Sequence, residues 1–245
     1  TECQSFIDSI TAFDEAKSLL DDKNAELDKA ISEANDLVNG ENTALDESLR
    51  SLLETKISET KAIKITAPTM AETVKEIDTQ TTEMDYSDAL KSLNEAYTAF
   101  NNSVKQYELV NNPAESYVIK CLEKVEHVIG ISAVTEDNDP NGHLGKAGGY
   151  TATVYFTCDW VNQANVIGNT IIDKGTDGGG AIEVYANVED AESRDSYLAG
   201  FDGGVLASGS HTVVGTCVVR TSDELAASKQ KELEAAVIGA LTKLE

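Results

Sequence analysis

Apolar residues in the first 110 positions recur at three, four and seven. In CQSFIDSITAFDEAKSLLDDKNAELDKAISEANDLV the seam runs through Phe6, Ile10, Phe13, Leu20, Leu27, Ile31 and Leu37 or Val38, with charges in the gaps. That period predicts an amphipathic helix packing along one face. NGEN at 39–42 predicts its end, with Gly40 as a left-handed cap. A second helix is predicted through Leu45, Leu49, Leu52, Leu53, Ile57 and Ile63, until Pro68 in ITAPTM interrupts it. Met70, Val74 and Ile77 resume the period, DTQTTEMD breaks it, and a last helix is predicted from about 87 to 109, capped by Asp85 or Ser87. Phe6, Phe13, Tyr97 and Phe100 fall at helical spacing and read as core. Residues 1–112 thus form an elongated helical hairpin or small bundle, a stalk or spacer, whose helices could also pair with a second copy in a homodimer.

VNNPAE at 110–115 predicts a turn and a domain boundary. Beyond it lie most of the glycines, and β-branched alternation begins. A helix over 115–128 leads into VIGISAVTE. YTATVYFTCDW alternates, with Ala152, Val154, Phe156 and Cys158 on one face, and AIEVYAN turns Ile182 and Val184 inward. HTVVGTCVVRT alternates throughout and reads as one strand. VEDAESRDSYLAGF between those strands predicts a helix with Ala191, Tyr197, Leu198 and Phe201 toward the sheet. SDELAASKQKELEAAVIGALTKL predicts a closing helix capped by Ser222, burying Leu225, Leu233, Val237 and Leu241. Residues 113–245 are therefore expected to form an α+β head domain, a small antiparallel or mixed sheet with helices packed on one face.

Charge narrows the partners. The chain of 245 residues carries 43 Asp and Glu against 19 Lys and Arg, a formal charge of −24 at pH 7. The excess is spread over both halves, so its field repels nucleic acid and anionic membrane and suits a cation or a basic protein. No apolar run approaches the roughly 20 residues that span a bilayer, and no signal peptide is recognisable. Opening on Thr1-Glu2-Cys3 without Met, the chain reads as a mature or trimmed product, and Cys3 lacks the small apolar residues that precede a lipidated cysteine. Cys3, Cys121, Cys158 and Cys217 show no CxxC pair and the three His are scattered, so zinc spacing is absent. The even count fits two disulfides, with Cys158 near Cys217 and Cys3 near Cys121, or four thiols.

TEDNDPNGHLGKAGGY at 135–150 is the densest candidate. Asp137, Asp139 and Asn141 followed by Gly142 match the start of a calcium loop, three oxygen ligands and a sharp turn. The twelfth position is Gly148 where the loop needs a bidentate Glu, and a strand follows. Two readings stand: an irregular calcium or magnesium site using Glu136, Asp137, Asp139 and Asn141, helped by Asp173 or Asp177, or an Asx- and Pro-stabilised turn. DKGTDGGGAIEVY lacks the Lys-Ser or Lys-Thr of a phosphate loop and reads as a mobile loop before a strand. Ser208, Ser210 and His211 are adjacent but framed by no GxSxG elbow, and Glu183 with Glu136 is the sole acid–base pair worth naming.

Several stretches carry a resemblance. Thr135-Glu136, Asp139-Pro140-Asn141 and Leu144-Gly145, then IEVYANVEDAESRDSYL with its Ala191-x-x-Arg194, then Gly215, Val218 and Arg220 in HTVVGTCVVRTSDEL, resemble a functionally uncharacterised family of bacterial cell-envelope proteins. Its members are secreted or membrane-tethered, with a helical stalk and a C-terminal α+β domain carrying TExxDPNxxLG. The resemblance spans about 118–243. It implies an extracytoplasmic location at the cell surface or secreted, membrane contact only through an anchor outside this chain, and the helices as spacer. Arg220 is expected to brace the loop by pairing with Glu136 or Asp139. The expected function is a non-catalytic binding or interaction module, without a cofactor, whose head meets a protein or envelope polymer. A calcium-dependent sensing domain is the alternative, and an envelope hydrolase the remote one.

Overall fold

The computed structural model describes residues 2–66, 85–204 and 209–245. Met70, Val74, Ile77 and the break at Pro68 lie outside the described residues. Packing divides the chain into Thr1–Val104 and Lys105–Glu245. The sequence reading set the boundary at the turn after 110. The division instead falls inside a helix, because that helix's last turns bond to the sheet domain: the Val110 carbonyl accepts from the Thr216 amide at 2.9 Å.

In the first unit, α1 (Glu2–Asn39) is a single helix of 38 residues, about 57 Å long at 1.5 Å per residue. Leu20, Leu27, Ile31 and Ala34 are its buried seam. They meet Leu53 and Ile57 of α2 (Ser48–Ala62) and Leu93, Ala96, Phe100 and Val104 of α3 (Ser87–Val110) in one apolar cluster. Phe13 and Tyr97 pack against its edge. The seam expected to begin at Phe6 does not: Phe6 is 67% exposed. Gly40 follows α1 but is not left-handed. Arg50 closes that end instead, donating to the carbonyls of Val38 at 2.6 Å and Asn42 and to Glu47 at 2.9 Å. A cation at a helix C-terminus satisfies orphan carbonyls and opposes the dipole.

The second unit is an α+β domain built on a five-stranded antiparallel sheet in the order β1-β2-β3-β5-β4. The strands are β1 (Val128–Ala133), β2 (Ala152–Cys158), β3 (Gly179–Val184), β4 (His211–Val214) and β5 (Cys217–Thr221). HTVVGTCVVRT is thus a hairpin and not one strand. Gly215 at φ 60° turns it, pairing Val214 with Cys217, as a Gly-first two-residue loop does. Alternation cannot reveal such a turn when both arms keep the same period.

Helices stand on both faces, where one was expected. Phe156, Cys158, Ile182, Cys217 and Val219 line the face under α4 (Glu115–Leu122) and α7 (Ala227–Leu241). Between β2 and β3 come α5 (Ile171–Lys174) and a 3-10 turn (Gly175–Gly178). The opposite face carries α6 (Val188–Ala199), whose Ala191 and Leu198 pack on Val218 with Tyr150 and Tyr185. All four cysteines are thiols, Cys3 exposed and the others buried. Burial, with the nearby Cys121, pushes the Cys217 thiol up to about 12. Ser222 does not cap α7, which starts five residues later. Its hydroxyl donates to the Asp177 carbonyl at 2.7 Å.

The Gly-rich stretch before IEVY is a 3-10 turn running directly into strand, not a mobile loop. A Cβ at Gly180 would lie 2.2 Å from the Arg220 carbonyl and 2.5 Å from the Phe156 ring. Glycine is needed there for close approach of backbone. Gly180→Ala is expected to destabilise the head domain by about 1–3 kcal/mol through overpacking, read as a lower urea midpoint. An unchanged midpoint would mean that the sheet absorbs the methyl.

Candidate functional site

The α6 face of the sheet holds a buried charge that no alternation rule anticipates. Glu183 on β3 is fully buried, flanked across the strands by Thr153 and Val218. Its Oε1 accepts from Arg194 Nη2 at 2.9 Å and Arg220 Nη1 at 2.8 Å. Its Oε2 accepts from Arg194 Nε at 2.7 Å and the Tyr185 hydroxyl at 2.9 Å. Burial alone would raise this carboxyl. The Arg194 hydrogen bonds and the two guanidinium charges outweigh burial and hold it below the ordinary range. Tyr185 is pushed up, by burial and then by the Glu183 charge. Arg220 was expected to reach the loop acids Glu136 or Asp139. It pairs with Glu183 because its strand neighbour Ala181 sits two residues away on the same face.

The sequence had offered Glu183 as half of an acid–base pair with Glu136. Four donors on one carboxylate, and an exposed Glu136, do not make that pair. What the residues do instead is converge. Glu183 and Tyr185 of IEVY, Arg194 of Ala-x-x-Arg and Arg220 at the end of the Gly215 hairpin all meet at one carboxylate. The signal available beforehand was a single Glu within an otherwise apolar strand.

Next to this cluster lies TEDNDPNG. Asp139 accepts from the amides of Asn141 at 3.0 Å and Leu144 at 2.8 Å, and from the Tyr150 hydroxyl. Burial would raise it, but these donors, with the Gly142 amide, bring it down to about 2. Thr135 donates its amide to Asn138 Oδ1 at 2.6 Å. Glu136, Asp137 and Asn141 are exposed. Leu144 buries the loop's middle against Tyr150 and Val134. Gly149 is required because a Cβ would stand 2.0 Å from the His143 carbonyl. The loop is therefore tied down by Asp139 itself, whose oxygens face inward to its own donors. Among the described residues no group of three or more His, Cys, Asp or Glu is placed to hold a metal ion. Unfolding in EDTA and then in millimolar calcium tests the two readings. The braced turn is expected to give an unchanged Tm; a rise of a few degrees in the head-domain transition restores the calcium site.

His211 shows no catalytic constellation among the described residues. Its Nδ1 meets Asp195 at 2.6 Å and its Nε2 meets Asp202 at 3.4 Å, which ties edge strand β4 to the end of α6. Ser210 Oγ bonds Thr221 Oγ1 at 2.7 Å, and Ser208 lies outside the described residues.

Loop and helix together enclose a cleft with two adjoining cavities. The first, of about 360 Å³, is lined by Asn141, His143, Tyr150, Tyr185, Arg194 and Tyr197, with the backbone of Gly148 and Gly149. The second, of about 500 Å³, shares Asn141, Arg194 and Tyr197 and extends past Phe201 to Asp173, Lys174, Asp177 and Arg220. Tyr197 was expected against the sheet; it is 60% exposed. The Phe201 ring stands 5.1 Å from it, edge to face, and the Arg194 guanidinium lies 5.5 Å from its centre. Tyr197 is thus an exposed aromatic plate packed against a ring and a cation, beside hydrogen-bonded polar groups of the cleft. Among the described residues no helix is long and apolar enough to cross a membrane. Comparison with protein-family models, with curated proteins and with solved structures finds no match, so the cleft's chemistry carries the functional reading.

Proposed function

We propose that the chain is a non-catalytic, extracytoplasmic binding module whose head domain holds a polysaccharide strand of the cell envelope in the cleft beside Tyr197, with the N-terminal helices as its spacer. The observation that carries this reading is the exposed Tyr197 plate bordered by fixed planar polar groups. A phenol face covers the C–H face of a sugar ring, while guanidinium and amide groups bond its hydroxyls. Binding is favoured over turnover because Glu183 and Asp139, two carboxylates bonded to the lining of the first cavity, are held ionised, whereas a general acid needs its proton near neutral pH. The extracytoplasmic location rests on the sequence resemblance. Fractionation of native cells that places the protein with soluble cytosol would sink it.

Affinity electrophoresis of the intact protein through gels containing neutral polysaccharide, and co-sedimentation with purified cell walls, test the cleft. Tyr197→Ala is expected to weaken binding about tenfold or more, with folding intact because the ring is exposed. Equal retardation of wild type and variant, or none at all, moves the ligand to another surface or to a protein. One observation supports a hydrolase as second reading: partial burial, with the charges of Asp223 and Glu224, pushes Asp177 at the second cavity upward. Release of reducing ends that stops in Asp177→Asn would establish it.

A further inference from the structure

Both cavities of the cleft share one cation, and that cation is only partly used. Glu183 takes Nε and Nη2 of Arg194. The remaining terminal nitrogen, Nη1, has no hydrogen-bond partner among the described residues, and the side chain is 22% exposed. A guanidinium clamped on one edge by a buried carboxylate cannot swing away, so the free edge is aimed without a further loss of side-chain freedom.

The charge around it runs against the rest of the chain. The lining of the first cavity contains Arg194 and no Asp or Glu. The lining of the second holds Lys174, Arg194 and Arg220 against Asp173 and Asp177. In a chain with 43 acids and 19 bases, two of the three arginines are placed here. Structural pairing accounts for one edge of Arg194, and among the described residues no hydrogen bond uses Nη1.

Resting on the reading of the cleft as a polysaccharide site, we propose that its ligand carries a single carboxylate on the bound sugar: Arg194 Nη1 receives the carboxylate while Tyr197 covers the ring of the same unit. The guanidinium stands over the Tyr197 ring, 5.5 Å from its centre, so a sugar unit packed against that ring lies beside the cation. Charge-assisted hydrogen bonds are roughly twice as strong as neutral ones, so the acid is the group that gains most at this edge. A polyanion is disfavoured, since the −24 chain repels each further charge. One acid per bound segment is the form that the local and overall fields both allow.

Calorimetric titration of the intact protein with three probes tests this: an oligosaccharide bearing one glucuronate, the same compound methyl-esterified at that carboxylate, and the neutral oligosaccharide without the acid. The acid is expected to bind about tenfold or more tightly than the ester. Tyr197→Ala should weaken all three together, and Arg194→Lys should narrow the gap between acid and ester. Because the decisive comparison changes the ligand, it stands even if Arg194 variants fold poorly. Equal binding of acid and ester overturns the carboxylate while leaving the cleft as a sugar site. No binding by any of the three overturns both.

Discussion

Glu183→Gln is expected to destabilise the head domain by about 3–5 kcal/mol, lowering its Tm by roughly 10–15 °C. The amide keeps the volume of the carboxylate and removes its charge. Arg194 and Arg220 then lose the charged carboxylate that they share beneath the cleft, Arg220 at 7% exposure. Losing one partner of a buried ion cluster costs more than losing the whole cluster, because the penalty falls on the charge left behind. The triple replacement Glu183→Leu, Arg194→Met, Arg220→Met should therefore be closer to wild type in stability than the single variant is. A single variant within about 1 kcal/mol of wild type would show that water already reaches the cluster. The same residues set a pH dependence. Glu183 has a folded pKa below its ordinary 4.5, so the unfolded chain takes up the proton first. Its contribution is whole above pH 4.5 and drains away as pH falls through the folded value.

Asp139→Ala is expected to cost the head domain about 2–4 kcal/mol, since two amides and the Tyr150 hydroxyl lose a charged acceptor at once. Asp139→Asn keeps the shape and should recover part of that loss. Linkage has the same sign here. The carboxyl falls from an ordinary 3.8 to about 2 in the folded state, so its stabilisation is complete above pH 3.8 and is lost between there and pH 2. In Asp139→Ala, the slope of head-domain stability against pH in that window should flatten, measured by urea titration at pH 4.5, 3.5 and 2.5. An unchanged slope would assign the acid sensitivity elsewhere. The loop forms one wall of the first cavity, so sugar binding should weaken with its stability.

The helices and the α+β class were legible because burial imposes a period. Leu20, Leu27 and Ile31 repeat at helical spacing because only one side of α1 meets other helices. Val154, Phe156, Ile182 and Val219 alternate because a sheet has two faces. Periodicity does not say how far along its length a helix finds partners, which is why Phe6 looked like core. It also does not register a turn that preserves alternation, which is why β4 and β5 read as one strand.

The site was legible only in pieces. TEDNDPNG stood out for its acids, and its spacing matched a calcium loop for a local reason: Asp at that position accepts amides two and five residues on, in a metal loop or a braced turn alike. Arg220 was singled out, but its partner was misplaced, since nothing local says which acid faces a strand end. Arg194 and Tyr197 lie on a surface helix, where an arginine and a tyrosine normally need no explanation.

The elements and their amphipathic faces could be read along the chain, because each follows from neighbours a few residues apart, and the acidic field follows from composition. That Tyr185, Arg194 and Arg220 meet on the buried Glu183 carboxylate, and that Tyr197 is exposed, emerges only from the folded arrangement. Those contacts join residues up to 37 positions apart across β3, α6 and β5. Their energy comes from excluding water around a charge, a condition met only once the sheet and helix have closed over it.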